Sequence, residues 1–149
     1  MPVAEGKVLL DTNVLIYATL PNDPRSAAAR EILVAPSDAM ERCISVQNLA
    51  EMYPNLTGPK METPDQPAVA RAKIQSIASL PTLQVLPLTG DVQSIALELC
   101  EKYGITRQRH HDAQLAATMI AHGIRTLLTE NTQDFQGMAE IRAIDPFAA

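Results

Sequence analysis

Residues 7–16 read KVLLDTNVLI, and this stretch decides the fold. Val8, Leu9 and Leu10 are apolar without alternation, which is typical of a strand covered on both faces within a parallel sheet. Asp11 follows at the point where the strand should end and a helix begin. Ligands of such sheets bind outside the carboxyl ends of the strands. We therefore expect Asp11 to lie at a crevice that is open to water.

The rest of the chain alternates between strand-like and helix-like runs. Further strands are predicted over residues 43–46, 83–88, 125–129 and 141–144. Helices are predicted over residues 14–20, 24–35, 46–53, 64–80, 89–102 and 112–121, with Asp23 as a plausible cap of the second and Ser45 of the third. This alternation predicts an α/β fold, a three-layer α/β/α sandwich with a central, mostly parallel sheet and right-handed crossovers. Residues 1–149 should form a single domain.

The composition suits a globular domain with an aliphatic core. Of the 149 residues, 46% are hydrophobic, but there is no Trp and only two Phe and three Tyr, so few rings are available for stacking bases. Cys43 and Cys100 form no metal-binding pattern, and we expect reduced thiols in a cytoplasmic protein. No apolar run approaches the roughly 20 residues that cross a bilayer, so no membrane partner is expected.

The net charge of −5, taken alone, argues against a nucleic-acid partner. Bound divalent cations would weaken that objection, because they reverse the local electric field. Arg107 and Arg109 form a basic cluster just before His110 and His111. This cluster is either a solvated loop or a phosphate contact, and the sequence leaves both interpretations open.

Four acidic residues occupy comparable positions near the predicted carboxyl edge of the sheet: Asp11, Glu51, Asp112 and Asp134. Each has an ordinary explanation when it is taken alone. Asp11 and Asp112 suit the starts of helices, where carboxylates cap free amides. Glu51 would lie beside the stripe of Val46, Leu49, Ala50 and Tyr53, which we expect to face the core. Their recurrence at one rim is better explained by a shared metal site.

Gathered carboxylates suit phosphodiester chemistry. Two hard cations held between them can activate a water molecule and stabilise a leaving oxygen. Mg²⁺ prefers oxygen ligands and keeps several waters, so a handful of carboxylates suffices. Polar neighbours suited to orienting the acids are Thr12, Asn13, Thr129 and Asn131. The glycine-rich loops that bind dinucleotides or nucleoside triphosphates are absent from the sequence, as is the Gly-x-Ser-x-Gly elbow.

Four motifs, in order along the chain, resemble the PIN-domain family and, within it, the VapC-type toxins of bacterial toxin–antitoxin systems. They read LLDTNVLI (9–16), NLAEMY (48–53), HDAQLAA (111–117) and LTENTQDF (128–135). The resemblance implies a parallel α/β/α fold and cleavage of single-stranded RNA that depends on Mg²⁺ or Mn²⁺. Asp11, Glu51 and Asp112 match the three principal acids of the family. Asp134 matches the fourth, a variable position whose role Asn131 either shares or replaces.

The resemblance also implies partners: a second copy of the chain in a homodimer, and a small antitoxin that blocks the site. Two other interpretations stay open. One is a phosphatase-like hydrolase that uses Asp11 as a nucleophile, although such enzymes usually carry a second Asp where this chain has Asn13. The other is a catalytically inactive PIN-like interaction module, whose acids serve for capping or for binding a basic peptide.

Overall fold

A five-stranded parallel sheet forms the centre of the molecule. The structure, a computed structural model, describes residues 6–148. The strands are β1 (Gly6–Leu10), β2 (Met40–Ser45), β3 (Leu83–Leu86), β4 (Thr126–Leu128) and β5 (Arg142–Ile144). Their order across the sheet is β3-β2-β1-β4-β5, and every neighbouring pair is parallel. The predicted parallel sheet is confirmed, and its central strand is the one that begins the quoted stretch.

Helices cover both faces of the sheet and complete the predicted α/β/α sandwich. They are α1 (Thr12–Ala18), α2 (Ser26–Val34), α3 (Val46–Leu56), α4 (Pro67–Ala78), α5 (Gly90–Tyr103) and α6 (His110–Ala121), with 3₁₀ turns at Arg107–Arg109 and Thr132–Phe135. Side chains of β1 alternate between two cores. Val8 and Leu10 pack with α1 to α4, whereas Leu9 packs with α5 and α6. In residues 6–148, no helix is long and apolar enough to cross a membrane.

The second helix starts differently from the prediction. Asp23 does not cap it, because α2 begins at Ser26 and the cap position belongs to Arg25, which makes no side-chain capping bond. The carboxylate of Asp23 accepts hydrogen bonds from Nε and Nη2 of Arg25, each at 2.9 Å, and from the backbone amide of Arg25 at 2.8 Å. Asp23 therefore orders the turn that precedes α2, and the helix begins three residues after it.

The predicted core face of the third helix is wrong. Val46 is 47% exposed and Tyr53 is 42% exposed, and the side chains that turn inward are Gln47, Asn48, Met52 and Leu56. A capping box fixes this rotation. Ser45 caps the helix as predicted, since its hydroxyl accepts from the amide of Gln47 at 3.0 Å. Asn48 Oδ1 accepts from the amide of Ser45 at 2.8 Å. Local hydrogen bonds thus outweigh the apolar periodicity.

Candidate active site

Two neighbouring strands place the first pair of polar residues side by side. Leu10 of β1 is paired with Leu128 of β4, so the residues that follow them, Asp11 and Thr129, lie next to each other at the carboxyl edge of the sheet. The Thr129 hydroxyl donates to Asp11 Oδ2 at 2.8 Å. The other oxygen, Oδ1, accepts from the amide of Thr12 at 2.8 Å and caps α1. Asp11 therefore acts as a helix cap and also lies at the expected crevice.

Donors on both sides hold the carboxylate of Glu51. The Thr12 hydroxyl donates to Glu51 Oε2 at 2.8 Å and in turn accepts from Asn48 Nδ2 at 3.1 Å. Gln47 Nε2 donates to Glu51 Oε1 at 3.0 Å. Because α3 is rotated by its capping box, Glu51 turns towards Asp11 and away from solvent.

The four predicted acids line one cavity of about 210 Å³, although they are far apart in the sequence. Its wall contains Asp11, Thr12, Asn13, Ile16, Glu51, Asn55, Asp112, Asn131, Asp134 and Phe135. Three of the four polar residues predicted to orient the acids, Thr12, Asn13 and Asn131, line this cavity. The other one, Thr129, is not in the cavity wall but contacts Asp11. Asn13 contacts Thr129 through its side chain, with Nδ2 donating to Oγ1 at 3.2 Å. Thr12 binds Asp11 through its backbone and Glu51 through its hydroxyl.

Burial and neighbouring carboxylates raise the pKa values of two of the acids, Asp11 and Asp112. Burial raises the pKa of Asp11, with smaller contributions from the charges of Glu51 and Asp134, while hydrogen bonds from Thr129 and Thr12 oppose the rise. The pKa of Asp112 is raised to about 6, first by burial and then by the charge of Asp134. The positive charge of Arg109 opposes the rise in the pKa of Asp112. Negative charge is thus crowded in the cavity, and a bound cation would relieve it.

The donor set suits a hard cation. Within residues 6–148, no three His, Cys, Asp or Glu side chains lie close enough together to enclose a metal ion. The cavity instead spreads carboxylate and amide oxygens around an open space. Mg²⁺, and Mn²⁺ by similar chemistry, prefers such oxygens and keeps several waters, so a closed protein cage is not needed. The residues present therefore fit a partly hydrated divalent cation.

Gln47 belongs to the site, and the sequence reasoning missed it. It is only 8% exposed, and its Nε2 donates both to Glu51 Oε1 and to the backbone oxygen of His111, at 2.7 Å. His111 is the residue before Asp112, so this single amide ties α3 to the start of α6. Its own Oε1 is buried without a partner among the described residues. A glutamine on a helix gives no signal of this kind unless the rotation of the helix is known.

The basic cluster before α6 is partly engaged with the acidic cavity. Arg109 Nη2 donates to the backbone oxygen of Asp134 at 2.8 Å, and its Nε lies 3.8 Å from Asp112 Oδ2. The two adjacent histidines bond in different directions, His110 to Gln93 and His111 to Gln114. Arg109 therefore helps to hold two of the acid-bearing segments together.

Fold and site together define a parallel α/β/α domain with an acidic cavity at the carboxyl edge of its sheet. The PIN domain family model matches residues 8–141, and the chain belongs to this family. It is 26% identical, over 140 residues, to Ribonuclease VapC24 of Mycobacterium tuberculosis, which covers 94% of this chain and 97% of that protein.

Solved structures show the same fold. VapBC-1 of nontypeable Haemophilus influenzae matches with a TM-score of 0.66 and 19% identity, covering 95% of this chain and 98% of that one. VapBC2 of Rickettsia felis, bound to a promoter DNA fragment, matches with a TM-score of 0.65, 20% identity and coverage of 93% and 98%. VapC20 of M. tuberculosis, a toxin that cleaves the sarcin-ricin loop, matches with a TM-score of 0.64, 18% identity and coverage of 91% and 98%.

Proposed function

We propose that this protein is a metal-dependent endoribonuclease, the toxin of a VapBC-type toxin–antitoxin pair. The observation that carries the proposal is the convergence of Asp11, Glu51, Asp112 and Asp134 on one cavity of a PIN domain. Two proteins similar to this chain are named as a ribonuclease and as an RNA-cleaving toxin, which supports RNA as the substrate. The free thiols of Cys43 and Cys100 suit action in the reducing cytoplasm.

In this proposal, Asp11, Glu51 and Asp112 bind Mg²⁺ or Mn²⁺ either directly or through its bound waters, and Asp134, Asn131 or both complete the site. The cation, when bound, supplies Lewis acidity towards a phosphodiester and a water of lowered pKa. The surrounding residues keep the carboxylates in place. Thr129 holds Asp11, and Thr12 and Gln47 hold the two oxygens of Glu51. Such supporting contacts orient ligands before a cation arrives.

Two protein partners complete the proposal. An antitoxin would cover the acidic cavity, and the similarity to VapBC complexes supports such a partner. A second copy of the chain would form a homodimer. Exposed apolar side chains on α3 and α4, which include Val46, Tyr53 and Val69, support an apolar contact of this kind. Sedimentation velocity of the isolated protein tests the homodimer.

We expect the purified protein to cut single-stranded RNA in Mn²⁺ or Mg²⁺, to lose this activity in excess EDTA, and to regain it when Mn²⁺ is restored. End-labelled oligoribonucleotides resolved on a denaturing gel give the measurement. Hydrolysis of p-nitrophenyl phosphate without RNA cleavage would favour the phosphatase-like alternative. Mn²⁺ binding by calorimetry with neither activity would favour an interaction module, and RNA cleavage that persists in EDTA would contradict metal dependence.

Replacing Gln47 by Leu is expected to lower RNA cleavage by about ten- to a hundredfold, the usual effect of losing a residue that orients a metal ligand. Leucine is apolar and slightly shorter than glutamine, so Glu51 and the His111 carbonyl both lose their donor. Titration with Mn²⁺ during the cleavage assay should show weaker apparent metal affinity. Gln75→Leu, at an exposed position of α4, is the matched control and should behave as the parent. Equal activity of the two variants would remove Gln47 from the site.

A further inference from the structure

A second, larger cavity of about 790 Å³ lies beside the acidic one. The two share four wall residues, Asn13, Ile16, Asn55 and Asn131, so a chain that passes through one cavity reaches the other. Its wall comes from α1, the segment between α1 and α2, the end of α3 with residues 60–63 after it, and the loop after β4.

Arg25 is the central side chain of this second cavity. Its guanidinium carbon lies 3.7 Å from the centre of the Tyr17 ring. The Asp23 carboxylate accepts from Nε and Nη2 at 2.9 Å each, and Nη1 donates to the Tyr17 hydroxyl at 2.7 Å and to Glu130 Oε2 at 3.1 Å. Four of the five guanidinium N–H groups are therefore engaged. The Tyr17 hydroxyl itself donates to Glu130. These contacts hold the guanidinium in one orientation.

The charge around Arg25 does not suit a phosphate. Arg25 already faces two carboxylates, Asp23 and Glu130, at ion-pair distance. The wall also contains Glu62 against a single lysine, Lys60, so the cavity has no excess of positive charge. The side chain of Arg25 nevertheless remains 39% exposed. Because the guanidinium lies over the Tyr17 ring and most of its donors are occupied, a ligand in this cavity would meet the side of the guanidinium opposite to Tyr17.

We propose that Arg25, stacked on Tyr17, is the platform for a nucleobase of the RNA next to the cleaved bond. The inference rests on the proposed ribonuclease activity. Bases stack on guanidinium planes as they do on aromatic rings, and a planar platform tolerates a paired charge. Tyr17 is itself held by an aromatic neighbour, because its half-buried ring meets Phe147 edge-on with centroids 5.4 Å apart. Asparagine amides in the same wall, at Asn22 and Asn55, offer donors and acceptors to a base edge.

The experiment compares Arg25→Ala and Arg25→Lys with the parent in Mn²⁺-dependent cleavage of short single-stranded RNAs of varied sequence. Lysine keeps a positive charge beside Asp23 and Glu130 but has no plane to stack upon. We expect both variants to raise KM by about tenfold, within the range measured for loss of one stacked base. They should leave kcat and the Mn²⁺ concentration for half-maximal rate unchanged. The base preference at one position beside the cut should relax.

Several results would overturn this inference. If Arg25→Lys has the KM and the base preference of the parent, Arg25 acts through charge pairing alone. A fall in kcat and in Mn²⁺ affinity at unchanged KM in these variants would lead to the same conclusion. Lys73→Ala is the matched control and should leave KM unchanged. It breaks the ion pair between Lys73 of α4 and Asp65, which precedes that helix. Thermal melts check that each variant is folded. If the parent makes no metal-dependent cut, the proposed ribonuclease activity is wrong, and the proposed nucleobase platform is wrong with it. If the parent cuts and Arg25→Ala does so with the parent's KM and base preference, only the platform is wrong.

Discussion

Replacement of Asp11 by Asn is expected to lower Mn²⁺-dependent RNA cleavage by about a thousandfold or more, which corresponds to about 4 kcal/mol of transition-state stabilisation. Asn keeps the shape of the side chain and is as good a helix cap as Asp, so the bond from the Thr12 amide can be retained. What disappears is the negative charge at the point where β1 meets the acidic cavity. The substitution therefore separates the chemistry of the site from the fold.

The measurement is the single-turnover rate of cleavage of a labelled RNA, together with circular dichroism and a thermal melt in EDTA. Burial raises the pKa of Asp11, so removing its charge should not lower the melting temperature of the metal-free protein. Asp91→Asn is the control, because Asp91 likewise lies near the start of a helix, in the first turn of α5, but is exposed. Cleavage by Asp11→Asn at the rate of the Asp91→Asn control would rule out Asp11 as an essential ligand.

The sequence was most informative where local chemistry and sheet topology agree. An unbroken apolar run followed by Asp11 predicted a buried strand with a polar residue at its carboxyl end, and β1 is the central strand of the sheet. Parallel pairing then brings together residues that follow different strands, as it does for Asp11 and Thr129. The cavity could be anticipated for Asp11, Asp112 and Asp134, which follow a strand or lie near the start of a helix, whereas Glu51 lies in the middle of α3.

The remainder of the site depends on contacts that the apolar pattern does not encode. The rotation of α3 follows from the capping box of Ser45 and Asn48, which overrides an apolar stripe and buries Gln47. The stack of Arg25 on Tyr17 also depends on Glu130, which is 105 residues away from Arg25 along the chain. Asp23 suggests a helix start in sequence, but as the ion-pair partner of Arg25 it forms part of a cavity wall.

Replacement of Asp112 by Asn is expected to lower RNA cleavage by about a hundredfold or more and, at pH 7.5 in EDTA, to raise the melting temperature. The pKa of Asp112 is raised to about 6 by burial and by the neighbouring carboxylates, above the ordinary value of 3.8. The stabilising effect of its protonated form is fully present below about pH 4 and is lost as the pH rises through about 6. Asn lacks this titration, so the variant should melt at a higher temperature than the parent at pH 7.5, and the difference should shrink at pH 5. In a domain of this size, each 1 kcal/mol of difference raises the melting temperature by about 2 to 4 °C.

Mn²⁺ should reverse the order of stability between these two proteins. A cation that binds the folded parent stabilises it by an amount that grows with the logarithm of the Mn²⁺ concentration relative to Kd, whereas the variant has lost one ligand charge. Differential scanning fluorimetry gives the melting temperature of each protein in four conditions, at pH 5 and pH 7.5 with either EDTA or saturating Mn²⁺. An equal difference in melting temperature at both pH values in EDTA would show that Asp112 does not titrate in this range. A parent that gains no stability from Mn²⁺ would mean that the crowded carboxylates do not bind the cation, and the acidic cavity would then need another explanation.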